Sequence, residues 1–546
     1  MSTHAREDKP AAIPPSPLTS ARLNKGTAFS EAERKTHRLE GLLPPIVDSL
    51  ETQIQRVKEH LDGKPNDIEK YIYLQELASR NETLFYAALM SDPITFIPLV
   101  YDPTIADACL KYGHIYRQPK GMYLTREMKG RLADVLRNWP HKDVRFICVT
   151  SGGRILGLGD IGANGAPIPV GKLQLYTACA AVPPEGLLPV HLDIGTSNKK
   201  LTGDPLYTGL RKAPLAQKAL DELLDEFVGA VESVFPGCCI HFEDWKGSDA
   251  VRYLQRYQSR ALVYNDDIQG TASVVLAGLI TALKTTGGKL SQQRVLFAGA
   301  GSAGTGIANM LVEAMVLEGA EREEARRAIT LFDKDGLIET GRKKLSAEQQ
   351  TFARKAEPQS DLQKVVEAVK PTVLIGVSTQ GGLFSEKVVK TMTKLNERPI
   401  IFPLSNPTDN AECTAKQAYQ WSKGKALYAA GVQFGEEKVQ GETRYPGQAN
   451  NFYIFPAVSL AVYAARPRLI DDRLFIEAAR ACAQQVSKKD RDRGMLYPSQ
   501  AGILKTEKAI ARHLVRYLFN NDLAGVEEPH DITRWLDKLS YKPRYE

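Results

Sequence analysis

Two short apolar runs each end in a pair of acids. Ile240 and Phe242 lead into Glu243 and Asp244, and the segment ALVYNDDIQGT at 261–271 carries Asp266 and Asp267. Four carboxylates at the ends of two strand-like runs disfavour joint ionisation unless something positive lies between them. A hard divalent cation would stabilise all of them. With only His241 beside either pair, the oxygen-rich donor set suits Mg²⁺ or Mn²⁺ better than Zn²⁺. Either pair alone reads equally well as the N-cap of a following helix. Two such pairs followed by a dinucleotide fingerprint favour the metal site.

That fingerprint is Gly299-Ala300-Gly301-Ser302-Ala303-Gly304. It follows an apolar run at 294–298, opens a helix, and precedes a second run at 328–332 ending in Asp333. Glycines there let backbone approach a pyrophosphate at the helix N-terminus, and Asp333 would bind the adenine ribose hydroxyls. Other residues carry weaker signals. Lys172, flanked by apolar residues, either snorkels to the surface or is held in a site with a lowered pKa. Tyr101 precedes Asp102-Pro103, which read as the N-cap and first residue of a helix; on this local pattern alone the tyrosine reads more readily as a packing residue than as a functional one. Arg154 enters an apolar run and could clamp a carboxylate or pair at a strand end. Asn406, in LSNPT, and Asn450 and Asn451, in PGQANN, follow strand-like runs and offer donors and acceptors to a carboxylate or carboxamide; turn chemistry explains them as well.

The elements that must position these residues form an α/β pattern. Ser30 with Glu33 is a capping box, and the spacing of Leu39, Leu42, Leu43, Ile46, Val47 and Leu50 continues a helical texture to about 140. From 144 the texture changes. Strands at 144–150 and 154–158 joined by Ser151-Gly152-Gly153 read as a hairpin, after which strands and helices alternate in the manner of parallel sheets with crossovers. Further strands fall at 372–377, 399–404 and 426–430, and the chain is mostly helical beyond 450. The expected organisation is a disordered tail at 1–20, a helical N-terminal domain at 21–140, a central α/β domain at 141–280, a Rossmann-type unit with a mainly parallel sheet at 281–450, and C-terminal helices at 451–546 packing back on the central domain.

The 546 residues exceed one ordinary core, and 43% apolar with 25% charged residues fits a soluble globular protein. The net charge of +7 is dispersed, with no basic block for nucleic acid. Seven cysteines without CxxC spacing read as reduced core thiols. The uncharged stretch 445–465 contains Gln448, Asn450, Asn451 and two prolines, which argues against a membrane span. No signal-peptide pattern opens the chain, so a cytoplasmic setting is expected, with the mitochondrial matrix as the other compartment.

Together these segments resemble the malic enzyme family over nearly the whole chain. The resemblance is carried by LNKGTAF (23–29), PLVYDPT (98–104), GRILGLGD (153–160), IPVGKLQLYTACA (168–180), HFED (241–244), YNDDIQGTA (264–272), GAGSAGTGIA (299–308), IIFPLSNPT (400–408) and PGQANNFYIFP (446–456). It implies metal- and NAD(P)-dependent oxidative decarboxylation of L-malate to pyruvate and CO₂ in a homodimer or homotetramer. Glu243, Asp244 and Asp267 would bind Mn²⁺ or Mg²⁺. Lys172 would be the general base, adjusted by Asp266, and Tyr101 the acid that protonates C3. Arg154, Asn450 and Asn451 would hold malate, with Asn406 near both substrate and nicotinamide. Ser151-Gly152-Gly153 stands where the family usually has Asp-Gly-Glu. Asp102-Pro103-Thr104, Ala106-Asp107 and Ser378-Thr379-Gln380 lean toward malolactic enzymes, which convert malate to lactate with bound NAD and Mn²⁺; the alternative activity is therefore malolactic. Asp333 repels a 2′-phosphate, and Gln349 aligns where some NADP-using relatives hold lysine, so the expected coenzyme is NAD, although Lys334, Lys343 and Lys344 could offset Asp333.

Overall fold

The structure, a computed structural model, describes residues 16–155 and 157–545. Most of the tail expected at 1–20 therefore lies outside the described residues; within it, Pro17–Thr19 forms a 3₁₀ turn capped by Ser16. The chain divides into two compact units, one running to Thr104 and including the residues from Lys542, the other Ile105–Tyr541.

The first unit is helical. Its first helix, Glu31–Thr36, carries the capping box expected from Ser30 and Glu33. Helix does not continue through 38–49 as the apolar spacing suggested. Gly41 has φ +78° and Pro44-Pro45 follow, so the backbone turns and loses donors, and the next helix starts at Leu50. Leu50–Asp62, Asp67–Arg80, Glu82–Ser91 and Pro93–Val100 then pack together around Leu74, Leu77, Phe85 and Phe96. Asn66, Asn81 and Asp92 each cap the helix that follows, satisfying first-turn donors.

The second unit holds two sheets. The first is wholly parallel: β1 (Met122–Thr125), β2 (Phe146–Thr150), β3 (Leu187–Asp193), β4 (Cys239–Phe242) and β5 (Val263–Asn265), in the order β1-β3-β2-β4-β5. Strand β1 falls inside the stretch expected to be helical, because four residues are too few to interrupt a periodic pattern. The second sheet contains β6 (Val295–Ala298), β7 (Ile329–Asp333), β8 (Gly336–Leu337), β9 (Val373–Gly376), β10 (Ile400–Pro403) and β11 (Leu427–Ala430). A separate hairpin, β12 (Glu437–Val439) and β13 (Glu442–Arg444), precedes its last strand, β14 (Gly447–Gln448). The order is β14-β11-β10-β9-β6-β7-β8, parallel except for β7 with β8. Uninterrupted apolar runs such as VLFA and VLIG suit strands covered on both faces.

Among the described residues of the segment expected as a strand at 154–158, Ile155 makes only an isolated bridge to Gly159 and no strand forms. Gly152 and Gly157 have positive φ, and a Cβ on Gly152 would lie 2.0 Å from Gly162 O, so the chain folds into a tight loop at the carboxyl end of β2. The helices Phe455–Ala465, Asp472–Gln484 and Ile503–Asn520 pack on Pro167–Ala180 and Thr271–Thr286. One stretch among the described residues, Asp266–Thr286, is long and apolar enough to cross a membrane, and it is mostly buried in this helical layer. The seven cysteines are free and buried.

Candidate active site

Strands β4 and β5 are adjacent and in register, with Phe242 opposite Asn265, so both acid pairs leave the first sheet side by side at its carboxyl end. After β5 the chain makes a π-helical turn, Asp266–Gly270, before Thr271–Thr286 begins. Asn265 caps this turn by accepting from Ile268 N at 3.1 Å. A Cβ on Gly270 would lie 1.8 Å from Asp266 Oδ1, so only glycine leaves room for that carboxylate. Asp244 adopts φ +55°, a conformation open to Asp and Asn, and its N–H donates to Asp267 Oδ2 at 2.9 Å.

Lys172 does not snorkel. It projects from the fully buried helix Pro167–Ala180 and is itself 2% exposed. Its Nζ stands 2.6 Å from Asp266 Oδ2, 2.9 Å from Glu243 Oε1 and 4.2 Å from the centroid of the Phe455 ring. One ammonium thus faces two carboxylates, with Asp244 and Asp267 alongside. Burial pushes the Glu243 carboxyl up to about 7, against the pull of Lys172. Burial, then Asp267 and Glu243, raise Asp244 well above the usual range; burial, then Glu243 and Asp266, do the same to Asp267.

Two groups of side chains bring their donor atoms within 4.8 Å of one another: Glu243, Asp244 and Asp267, and His241, Glu243 and Asp266. In the second group Lys172 and the histidine already occupy the carboxylates. The first is an all-oxygen set carrying more negative charge than Lys172 can balance, and it fits Mg²⁺ or Mn²⁺.

Sequence reasoning missed the support behind Glu243. His241 Nε2 lies 2.8 Å from Glu243 Oε2, and its Nδ1 lies 2.6 Å and 3.0 Å from the hydroxyls of Tyr176 and Tyr264, which also contact each other. Burial lowers the His241 pKa to about 3, so the ring is neutral and the network assigns the Nε2–H to Glu243. The alternating apolar strand CIHF offered no sign of this, because the partners come from a different helix and strand.

The asparagines divide. Asn451 Nδ2 lies 2.9 Å from Asp266 Oδ2, 3.1 Å from Asp266 O and 3.1 Å from Thr271 Oγ1, so its amide holds the acid at the start of the helix. Asn450 spends its side-chain oxygen on Phe452 N as a helix cap. Arg154 donates its backbone N–H to Asp244 O, and its Nη1 comes 3.0 Å from where a Cβ on Gly247 would lie, next to Ser302 of the glycine loop. Asn406 follows β10, and the neighbouring Pro407 lies against Gly157. Tyr101 ends the helix Pro93–Val100 in the first unit; the next helix begins at Thr104, one residue later than Asp102-Pro103 suggested.

The glycine loop joins β6 to the helix Ser302–Leu317. Gly299 has φ +121°, and a Cβ on Gly304 would come 2.3 Å from Gly299 O, so these two set the turn. A Cβ on Gly301 would meet nothing within 4 Å, leaving its face and the first-turn N–H groups, with Ser302 and Ala303, open to a phosphate. Asp333, at the end of β7, is gripped by Arg342 through Nη1–Oδ1 at 2.9 Å and Nη2–Oδ2 at 3.0 Å. Gln349 Nε2 donates to Ala300 O at 2.9 Å. Buried Glu412 accepts from Ser378 and Ser405, tying together the loops after β9 and β10. Arg342 and Glu412 were not singled out in the sequence, since neither lies in a motif.

Comparison with known proteins identifies the family. The family profiles "Malic enzyme, N-terminal domain" and "Malic enzyme, NAD binding domain" match residues 78–258 and 268–519. The chain is 45% identical over 527 residues to the NADP-dependent malic enzymes of Mus musculus and Homo sapiens, covering 96% of this chain and 92% of each relative. A relative named NADP-dependent malic enzyme, mitochondrial, from Homo sapiens is 44% identical over 527 residues, which cover 96% of this chain and 87% of that relative. Among solved structures, the Entamoeba histolytica malic enzyme shares the fold with a TM-score of 0.57 at 22% identity, over 92% of this chain and 90% of that one. The expected lean toward NAD finds no support in these relatives, and Arg342 pairs with the Asp333 carboxylate on which that lean rested. Sequence, fold and the grouping of acids, lysine and glycine loop converge, and the chain belongs to the malic enzyme family.

Proposed function

We propose that this protein catalyses the divalent-metal-dependent oxidative decarboxylation of L-malate to pyruvate and CO₂, with NADP as the hydride acceptor. The observation that carries the reading is Lys172, buried between Asp266 and Glu243 and beside the Glu243, Asp244 and Asp267 donor set. Glu243, Asp244 and Asp267 would hold Mg²⁺ or Mn²⁺. The bound ion would polarise the C2 oxygen and stabilise the enolate charge left as CO₂ departs, and the dinucleotide would take the hydride from C2.

Lys172 takes the proton from the C2 hydroxyl. Its base form is favoured when the acids around it share their charge with a cation, and Asp266, oriented by Asn451, then receives or returns that proton at 2.6 Å. His241 orients Glu243. Arg154 is the cation for a malate carboxylate, and Asn406 binds near the substrate and nicotinamide. Tyr101 keeps the role the resemblance gives it, protonating C3 of the enolate to yield pyruvate. Gly301, Ser302 and Ala303 cradle the pyrophosphate. With Arg342 paired to Asp333, the net positive charge for a 2′-phosphate comes from Lys343 and Lys344. Leu42, Ile46 and Val47, all exposed apolar residues of the first unit, support a homo-oligomer.

The test is a product assay with L-malate and Mn²⁺, with NADP and NAD in separate runs. Reduced coenzyme appearing in step with pyruvate is expected, faster with NADP, and Arg342→Gln should erode the NADP preference at least tenfold. Lactate and CO₂ without reduced coenzyme would replace this reading with malolactic activity.

A further inference from the structure

At the amino ends of β6 and β7, a sheet's length away from the glycine loop, lies a cavity of about 480 Å³. Arg294, Arg327, Arg354 and Lys364 line it together with Thr330 and a single acid, Glu357, and the helix Leu362–Val369 gives it an apolar wall. Arg354 is half-buried. Its guanidinium donates to Thr330 Oγ1 and, at 3.3 Å, to Arg327 O, both neutral acceptors. Arg294 Nε donates to Lys370 O at 2.8 Å, again a neutral partner. Among the described residues, none of the four cations forms an ion pair with a carboxylate. Elsewhere on this surface arginines do find acids, as Arg252 does with Asp221 and Arg256 with Asp225. Burial lowers the Arg354 pKa with no neighbouring acid to offset the cost. A concave surface with this excess of one sign focuses its field on anions, and guanidinium forks match phosphate and carboxylate oxygens.

We propose that this cavity is a binding site for a small polyanion carrying two or more phosphate or carboxylate groups. The catalytic reading needs no residue here. The site is nonetheless wired to the coenzyme side: Arg354 N donates to Ile338 O at 3.3 Å and Thr340 N donates to Arg354 O at 3.1 Å, closing the loop that carries Arg342 and Gln349. The coupling rests on the coenzyme reading proposed above: a polyanion at Arg354 and NADP beside Arg342 act on two parts of the same loop, so each alters the other's affinity.

The experiment is calorimetric titration of the full-length, metal-free protein with inorganic pyrophosphate and, separately, with citrate. It is repeated on Arg327→Gln/Lys364→Gln, whose changes lie on exposed side chains. Wild type should show a saturable event that weakens at least tenfold in the double variant. Pyrophosphate alone would assign a phosphate-bearing ligand, citrate alone a polycarboxylate, and both a site that reads charge. Absence of saturable binding, or equal affinity in the double variant, would overturn the site. A second titration, with NADP in the presence of the saturating anion, should shift the NADP Kd at least threefold. An unchanged Kd removes the coupling, whereas failure of NADP to bind at all removes the coenzyme reading and leaves the anion site standing.

Discussion

Asp244→Asn should make the metal-free protein more stable while abolishing its response to metal. Unit charges 4.8 Å apart, the outer limit of the donor spacing, repel by about 3.5 kcal/mol at an effective dielectric constant of 20. Asp244 has two such neighbours, so proton uptake limits the strain. Keeping a carboxyl of ordinary pKa protonated at pH 7 costs about 4 kcal/mol, and that is the ceiling on what asparagine can recover. Asparagine tolerates φ +55°, and its amide can donate to the acids alongside, so a gain of about 2–4 kcal/mol is expected. The sign follows from the raised folded-state pKa of Asp244. The native protein holds a proton the unfolded chain has released, so the Asp244 contribution to stability falls as pH rises above about 4; the benefit of the substitution is gone near pH 4 and grows as pH rises from there.

For the unit Ile105–Tyr541, about 2.1 cal/mol/K per residue converts the gain to a rise of roughly 2–4 °C. Thermal melts of metal-free wild type and variant at pH 7.5 and pH 4.5 would read it. Saturating Mn²⁺, worth about 2.7 kcal/mol at one hundred times its Kd, should lift wild type by roughly 3 °C and leave the variant unmoved. A lower melting temperature for the metal-free variant, or a preserved Mn²⁺ shift, would refute the reasoning.

Asp267→Ala should abolish Mn²⁺-dependent turnover while the coenzyme Kd, read by fluorescence titration, stays within about twofold of wild type; retained turnover would unseat the donor set. Lys172→Met should lower kcat by roughly 10²–10⁴-fold. It should also destabilise the protein by about 3–5 kcal/mol by leaving Glu243 and Asp266 without their cation, measured by denaturant unfolding. Gly301→Val should remove coenzyme binding with little change in melting temperature, because the space it fills is open in the protein itself.

The parts of this site that depend on local pattern were legible in the sequence. Paired acids at strand ends, and glycines between a strand and a helix, are fixed by neighbours along the chain. Features set by distant contacts were not. The spacing 151–160 mimics a hairpin because glycines and apolar residues alternate, whereas the close approach of Gly152 to Gly162 that bends it appears only in three dimensions. The local pattern around Lys172 favours snorkelling; what keeps it inside is the set of acids leaving β4 and β5, which lie far from it in sequence. Asp333 advertised a bare negative charge, and nothing nearby in the pattern tied Arg342 to it. The hydroxyls of Tyr176 and Tyr264 meet His241 across separate elements, a contact that no local pattern marks.

The site is also closed late in the life of the chain. Asn451 lies 185 residues beyond the Asp266 carboxylate it holds, and Phe455, the ring under Lys172, comes a few residues after that. At about 5–20 residues per second, a ribosome spends on the order of 10–40 s between making the acid pair and making its last partners. Throughout that interval the whole coenzyme-binding sheet is being synthesised, while the acids wait without Asn451 and the lysine without Phe455. A stall or premature stop before codon 451 would therefore release a polypeptide that has every acid of the cluster but lacks the C-terminal residues that hold Asp266 and cover Lys172.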